Sequence, residues 1–247
     1  MNKPGKVDLT QIPYISARQM LEVDRLMVEE FGIQLIQMME NAGRHLAALA
    51  RTKFLEGDPA GKRVVFLVGS GGNGGGALVS ARNLVNWGAD VQVYLSKPVD
   101  HLSGTILRQA KILQSLNLKL FSFSDLGSTA APDLIIDGII GYSLQGSPRG
   151  AAAAMINWAN QQENPILSLD VPSGLDATTG EVKNPVIKAS ATMTLALPKT
   201  GLKIASRDVV GELYLADIGI PPLLYSHPSL RLDIGPIFKH EQIIQLM

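Results

Sequence analysis

"LVGSGGNGGGALVSAR", residues 67–82, holds six glycines in the eight positions from Gly69 to Gly76. Glycine gives up more backbone freedom on folding than any other residue, so this density predicts either positive φ angles or very close backbone approach. The apolar run in front, Val64–Val68, reads as a short buried strand, and Ala77–Trp87 behind it as a helix ended by Gly88. Strand, glycine turn and helix in that order open a parallel α/β unit.

Working outward, the same alternation continues. Val91–Leu95 reads as a strand, Ser103–Leu116 as a helix and Leu118–Phe123 as a strand. Leu134–Ile136 follows as a strand, Ala151–Asn160 as a helix and Ile166–Leu169 as a strand. Thr192–Leu197 and Glu212–Leu215 are strand-like with no long helix between them. Upstream, Ser16 and Gln19 have capping-box spacing, predicting a helix from Ala17 to Phe31 that stops at Gly32. A second helix is expected from Ile33 to Lys53. The pattern predicts one doubly wound, mostly parallel sheet covered on both faces, with two extra N-terminal helices, in a single domain over 1–247.

Composition narrows the function. The 247 residues are 46% hydrophobic, enough for one large core, and 22 basic residues balance 22 acidic ones. No global field draws nucleic acid or an anionic membrane. The absence of cysteine excludes disulfides and thiolate metal sites. The first sixteen residues lack a signal-peptide core, and no apolar run approaches the ~20 residues of a membrane span. A soluble, cytoplasmic protein is expected.

In open α/β sheets, ligands bind beyond the carboxyl ends of the strands. Those ends deliver Gly69–Gly76 with Asn73 inside it, then Lys97-Pro98, Asp137 with "GIIGYSLQGSPRG", Asp170 with "VPSGLDATTG", and Pro198-Lys199-Thr200-Gly201. Gly69, Gly71 and Gly74 match a dinucleotide fingerprint, but Ser96 and Lys97 stand where a ribose-binding acid belongs. The loop lacks the Gly-Lys-Ser/Thr ending of a phosphate-binding Walker loop, and there is no G-x-S-x-G elbow. His45, His101, His227 and His240 are dispersed, which disfavours zinc or iron. Three oxygen donors from three strand ends, Asn73, Asp137 and Ser173, could surround a hard cation. Burial would suit Asp137 to proton transfer.

Five stretches resemble one known family in order: "ISARQMLEVDRLMVEEFGIQLIQMMENAG", "LVGSGGNGGGALVSAR", "DLIIDGIIG", "ILSLDVPSGLDATTG" and "PKTGL…GELYLADIGIP". They are similar to the YjeF N-terminal domain of the NAD(P)H-hydrate epimerases, from about Ile15 to Pro221. The resemblance implies a Rossmann-like fold and interconversion of the R and S forms of hydrated NADH or NADPH. A potassium ion on Asn73, Asp137 and Ser173 is implied, as are a separate dehydratase acting on the product and a homodimer; a fused dehydratase domain is not expected. The substrate-binding positions carry over to Gly72, Asn73, Gly74, Gly75 and Gly76, to Gly141, Tyr142, Ser143, Leu144, Gln145, Gly146 and Ser147, and to Asp170. Asp137 is the implied acid/base, with Lys97 second. Two positions depart: Gly76 replaces the substrate-loop aspartate and Tyr142 the usual threonine. A silent nucleotide-binding or scaffold module of the same fold is the alternative.

Overall fold

The computed structural model describes residues 5–7 and 12–246. Nine strands form one sheet: β1 (Gly5–Val7), β2 (Arg63–Val68), β3 (Asp90–Leu95), β4 (Leu120–Ser122), β5 (Leu134–Gly138), β6 (Ile166–Leu169), β7 (Ala191–Leu195), β8 (Glu212–Ala216) and β9 (Ile243–Leu246). Their order is β1-β9-β8-β7-β6-β5-β2-β3-β4. All pairings are parallel except β8 with β9. The helices are α1 (Ala17–Glu29), α2 (Leu35–Lys53), α3 (Gly72–Asn86), α4 (Gly104–Ser115), α5 (Gly150–Asn160) and the short α6 (Thr200–Ile204), α7 (Arg207–Val210) and α8 (Pro222–Tyr225).

Strand alternation sorts the core. Val64, Phe66, Val93 and Ile136 face α2, α3 and α4, whereas Val65, Leu67, Tyr94 and Ile135 face α5. Helix α1 packs Met20, Val23, Leu26 and Met27 with Leu197, just beyond β7, and Leu215 of β8. Its start is the expected capping box: Gln19 N donates to Ser16 Oγ at 3.2 Å and Ser16 N to Gln19 Oε1 at 2.9 Å. The chain runs outward from β2 through β3 to β4, then returns to place β5 on the other side of β2. Between β2 and β5 the winding reverses, and a crevice must open there at the strand ends.

The glycine stretch is not the loop that was expected. Helix α3 begins at Gly72 rather than Ala77, and only Gly69, Ser70 and Gly71 lie outside β2 and α3. None of Gly69–Gly76 has positive φ. Close approach explains the composition. A Cβ on Gly74 would run into the Gly69 carbonyl, one on Gly75 into the Met39 sulfur, and one on Gly43 of α2 into Val79 and the Gly76 carbonyl. Side chains here would force α2, α3 and the end of β2 apart. Asp137 is likewise the fourth residue of β5, not the first residue after it.

Candidate active site

A cavity of about 460 Å³ opens at the β2/β5 reversal, in the size range of ligand pockets. Apolar side chains make most of its wall, among them Met20, Met38, Met39, Leu169 and Ile218. Its polar groups are Asp24, Ser70, Asn73, Tyr142, Ser143, Asp170 and Lys199.

Asp170 follows β6 with φ +67, a left-handed conformation that costs a non-glycine residue about 1–3 kcal/mol and occurs where function demands it. This turn aims its carboxylate between β6 and β7. Oδ1 accepts from Lys199 Nζ at 2.5 Å and more weakly from Thr194 Oγ1 and Leu195 N, both at 3.4 Å. Oδ2 accepts from Tyr142 N at 3.2 Å. Lys199 is wholly buried, and its ammonium also donates to Leu195 O at 2.8 Å and Thr194 Oγ1 at 3.5 Å. A buried ion pair survives only when its remaining donors are satisfied, and all three ammonium hydrogens have acceptors here.

Tyr142 links this pair to α1. Its hydroxyl donates to Asp24 Oδ2 at 2.5 Å, and Lys199 Nζ lies 5.9 Å from its ring centre. Burial raises the Asp24 carboxyl above its ordinary value, against the Tyr142 hydrogen bond and the Lys199 charge. Tyr142 is raised too, by burial and by Asp24, and stays protonated.

Asp137 lies deeper. It is wholly buried, and each oxygen accepts two hydrogen bonds: Oδ1 from Ser173 Oγ at 2.5 Å and Ile139 N at 3.2 Å, Oδ2 from Ser168 Oγ at 2.8 Å and Ser173 N at 2.9 Å. Burial raises its carboxyl although these bonds oppose the shift. It is absent from the cavity wall. Its four acceptor positions are taken up by Ser168, Ser173 and Ile139, so it stands behind the cavity rather than on the wall where it was expected. Lys97 is exposed after β3 and also stands off the cavity.

Oxygen donors nevertheless gather around Asp137. The Ser173 hydroxyl touches it, the Ile140 carbonyl lies 3.1 Å from Ser173 Oγ, and Asn73 Nδ2 donates to Leu169 O at 2.8 Å. That bond leaves Asn73 Oδ1 turned to Gly141, where a Cβ would come within 2.9 Å of it. Among the described residues no group of three or more His, Cys, Asp or Glu is placed to hold a metal. Carboxylate, amide, hydroxyl and carbonyl oxygens are ligands for a hard cation, so the donor set fits one.

The expected substrate-binding positions separate by place. Gly72, Asn73 and Gly76 line the main cavity, whereas Gly74 and Gly75 are taken up by helix packing. Gly141, Tyr142 and Ser143 line it with Asp170; Ser143, Leu144, Gln145 and Ser147 line an adjoining cavity of about 440 Å³, and Gly146 lines neither. Sequence reading missed Asp24 and Lys199. Lys199 follows a strand end, a position already marked as informative, but Asp24 lies mid-helix, where nothing local sets it apart.

The family model for the YjeF-related protein N-terminus matches residues 35–201. The chain is 43% identical over 217 residues to an NAD(P)H-hydrate epimerase of Dehalogenimonas lykanthroporepellens, covering 88% of this chain and 86% of that one. It is 36% identical over 229 residues to a bifunctional NAD(P)H-hydrate repair enzyme Nnr of Moorella thermoacetica, covering 88% of this chain but 43% of that longer protein. The crystal structure of yeast ynu0 superposes with a TM-score of 0.80 at 25% identity, covering 95% of this chain and all of that one.

Proposed function

The chain belongs to the family of the YjeF-related protein N-terminus, and from that membership we infer that it is an isomerase, an NAD(P)H-hydrate epimerase. It interconverts the R and S forms of hydrated NADH and NADPH at the hydroxyl-bearing carbon of the nicotinamide ring. One observation supports this most directly: Asn73, Tyr142 and Asp170, from three separate strand ends, line one largely apolar cavity. An apolar slot takes a planar ring, and a few convergent polar groups fix its orientation.

The hydroxyl-bearing carbon also carries the ring nitrogen. Its configuration inverts if the hydroxyl leaves with a proton and water returns to the other face. The chain's part is to hold the ring, exclude bulk water and manage that proton. Lys199 and Asp170 supply a fixed dipole beside the ring, preorganised by their buried partners. A potassium ion held by Asn73, Asp137 and Ser173 would supply positive charge and order the strand ends. The adjoining cavity lined by Leu144, Gln145 and Ser147 gives the remainder of the nucleotide a place.

A separate dehydratase that consumes one epimer belongs to the same proposal, as does a cytoplasmic setting, where the cofactor pool resides. The sheet, continuous from β1 to β9, supports one domain, and a homodimer rests on family resemblance alone. No helix among the described residues is long and apolar enough to cross a membrane.

The test uses purified protein and the isolated R epimer of hydrated NADH. Chromatography should show the S epimer forming well above the spontaneous rate, and a dehydratase specific for S should then restore all the NADH. Conversion at the spontaneous rate would remove the epimerase assignment and favour the silent module.

A further inference from the structure

Three carboxylates lie at or behind the cavity, and their hydrogen bonds set them apart. Asp137 is filled at both oxygens and does not reach the cavity. Asp170 lines the cavity, but Lys199 neutralises it and both its oxygens are engaged. Asp24 lines the same cavity from α1, and only its Oδ2 is engaged, by the Tyr142 phenol. Its Oδ1 accepts no hydrogen bond from any described residue.

From this geometry we propose that Asp24 is the group that gives the proton to the departing hydroxyl and takes it back from the returning water. The inference rests on the epimerase reading above, and it assigns the exchange to a residue upstream of the segment that the family model matches. In the step, protonated Asp24 delivers its proton to the hydroxyl oxygen. The carbon–oxygen bond breaks, water departs, and the ring-nitrogen lone pair forms the carbon–nitrogen double bond of a planar cation. Water adds to the opposite face as that double bond reverts to the lone pair, and the proton it sheds is relayed around the ring edge by the departed water molecule to the carboxylate. Atoms and electrons balance with no oxidant or reductant.

The surroundings suit this role. Burial favours the neutral acid, Asp170 acts in the same direction, and Lys199 and the Tyr142 hydrogen bond oppose it. The other titratable group facing Asp24 is Tyr225 on α8, raised by burial and therefore neutral. Arg25 and Glu22, its neighbours on α1, are paired with each other away from the cavity. The upward shift from burial favours the neutral form, the form in which a general acid gives up its proton.

The experiment measures epimerisation of hydrated NADH against pH in wild type, Asp24→Asn, Asp24→Glu and Tyr142→Phe. In wild type, kcat should fall as pH rises through the Asp24 pKa. Asp24→Asn should lower kcat roughly 100- to 10,000-fold, leave KM near the wild-type value and abolish that fall. Asp24→Glu should restore part of kcat together with the pH dependence. Tyr142→Phe removes a hydrogen bond that favours the ionised acid, so its fall should move to higher pH. This last readout does not depend on Asp24→Asn folding.

A purely structural Asp24 would raise KM and lower Tm but keep the pH profile, and that result would overturn the proposal. Wild-type kcat in Asp24→Asn, or an unmoved profile in Tyr142→Phe, would overturn it as well. An inactive wild type would instead remove the epimerase reading, and this inference with it.

Discussion

Gly74 and Gly76 stand two residues apart on α3, yet they meet different surroundings. A methyl group on Gly74 would collide with the Gly69 backbone, which cannot yield without moving the end of β2. One on Gly76 would lie 2.9 Å from Leu169 Cδ2, the far end of a flexible though buried side chain. Alanine gains about 1 kcal/mol over glycine inside a helix, and overpacking costs about 1–3 kcal/mol. Gly76→Ala should therefore stay within about 1 kcal/mol of wild type in urea unfolding, while Gly74→Ala loses about 1–3 kcal/mol. Equal effects would mean that the carbonyl contact does not set the helix position. Gly76→Asp must displace the same Leu169 tip, and it restores the carboxylate usual in the family. It should raise kcat/KM at least about tenfold if that position contacts substrate, since a hydrogen bond involving a charge is worth about 1.5–3 kcal/mol. No gain would take position 76 out of the substrate contacts.

At the scale of elements, α1 is bound to the chain after α8 by charge as well as by apolar packing. Glu22 accepts from Arg25 and, at 2.6 Å, from Ser229 Oγ, and His227 lies 3.5 Å from Glu30. Arg25 first and Ser229 second pull the Glu22 carboxyl from an ordinary 4.5 to about 2. Its folded value lies below its unfolded one, so this attachment is complete above pH 4.5 and is lost as pH falls toward 2. Backbone amide shifts of α1 and of residues 227–230 should move together across that window and not in Glu22→Gln. Independent movement would separate the two elements.

Elements were legible in proportion to their periodicity. The strands at 64–68, 91–95 and 166–169 announced themselves by apolar runs, and the Ser16–Gln19 spacing located the start of α1. The start of α3 was hidden because glycine is a poor helix former, and tertiary packing overrides that weakness only when α2 and β2 are already in view. β9, as long as the readable β6, lies at the end of the chain with no helix alternating with it, so its three apolar residues did not stand out as a strand. In the site, Asn73, Tyr142 and Asp170 were legible because strand ends are where α/β sheets bind ligands. Asp24 was not, because its partner Tyr142 is 118 residues away.

For the molecule as a whole, an ion that binds only the native state stabilises it in proportion to its occupancy. If potassium sits among Asn73, Asp137 and Ser173, Tm should rise in potassium chloride relative to lithium chloride at equal ionic strength. Ser173→Ala should erase the difference. A Tm indifferent to the cation would remove that assignment.

The cavity wall runs from Met20 to Ile218 and draws on α1, α2, the ends of β2, β5, β6 and β7, and the chain beyond β8. No contiguous stretch of the chain carries a rudimentary version of it. Contacts between residues so far apart in sequence form late, because the intervening chain must be ordered first. During refolding, helical signal and compaction can recover early, but turnover must wait for the slowest long-range pairing. Regained activity therefore times the closing event of folding.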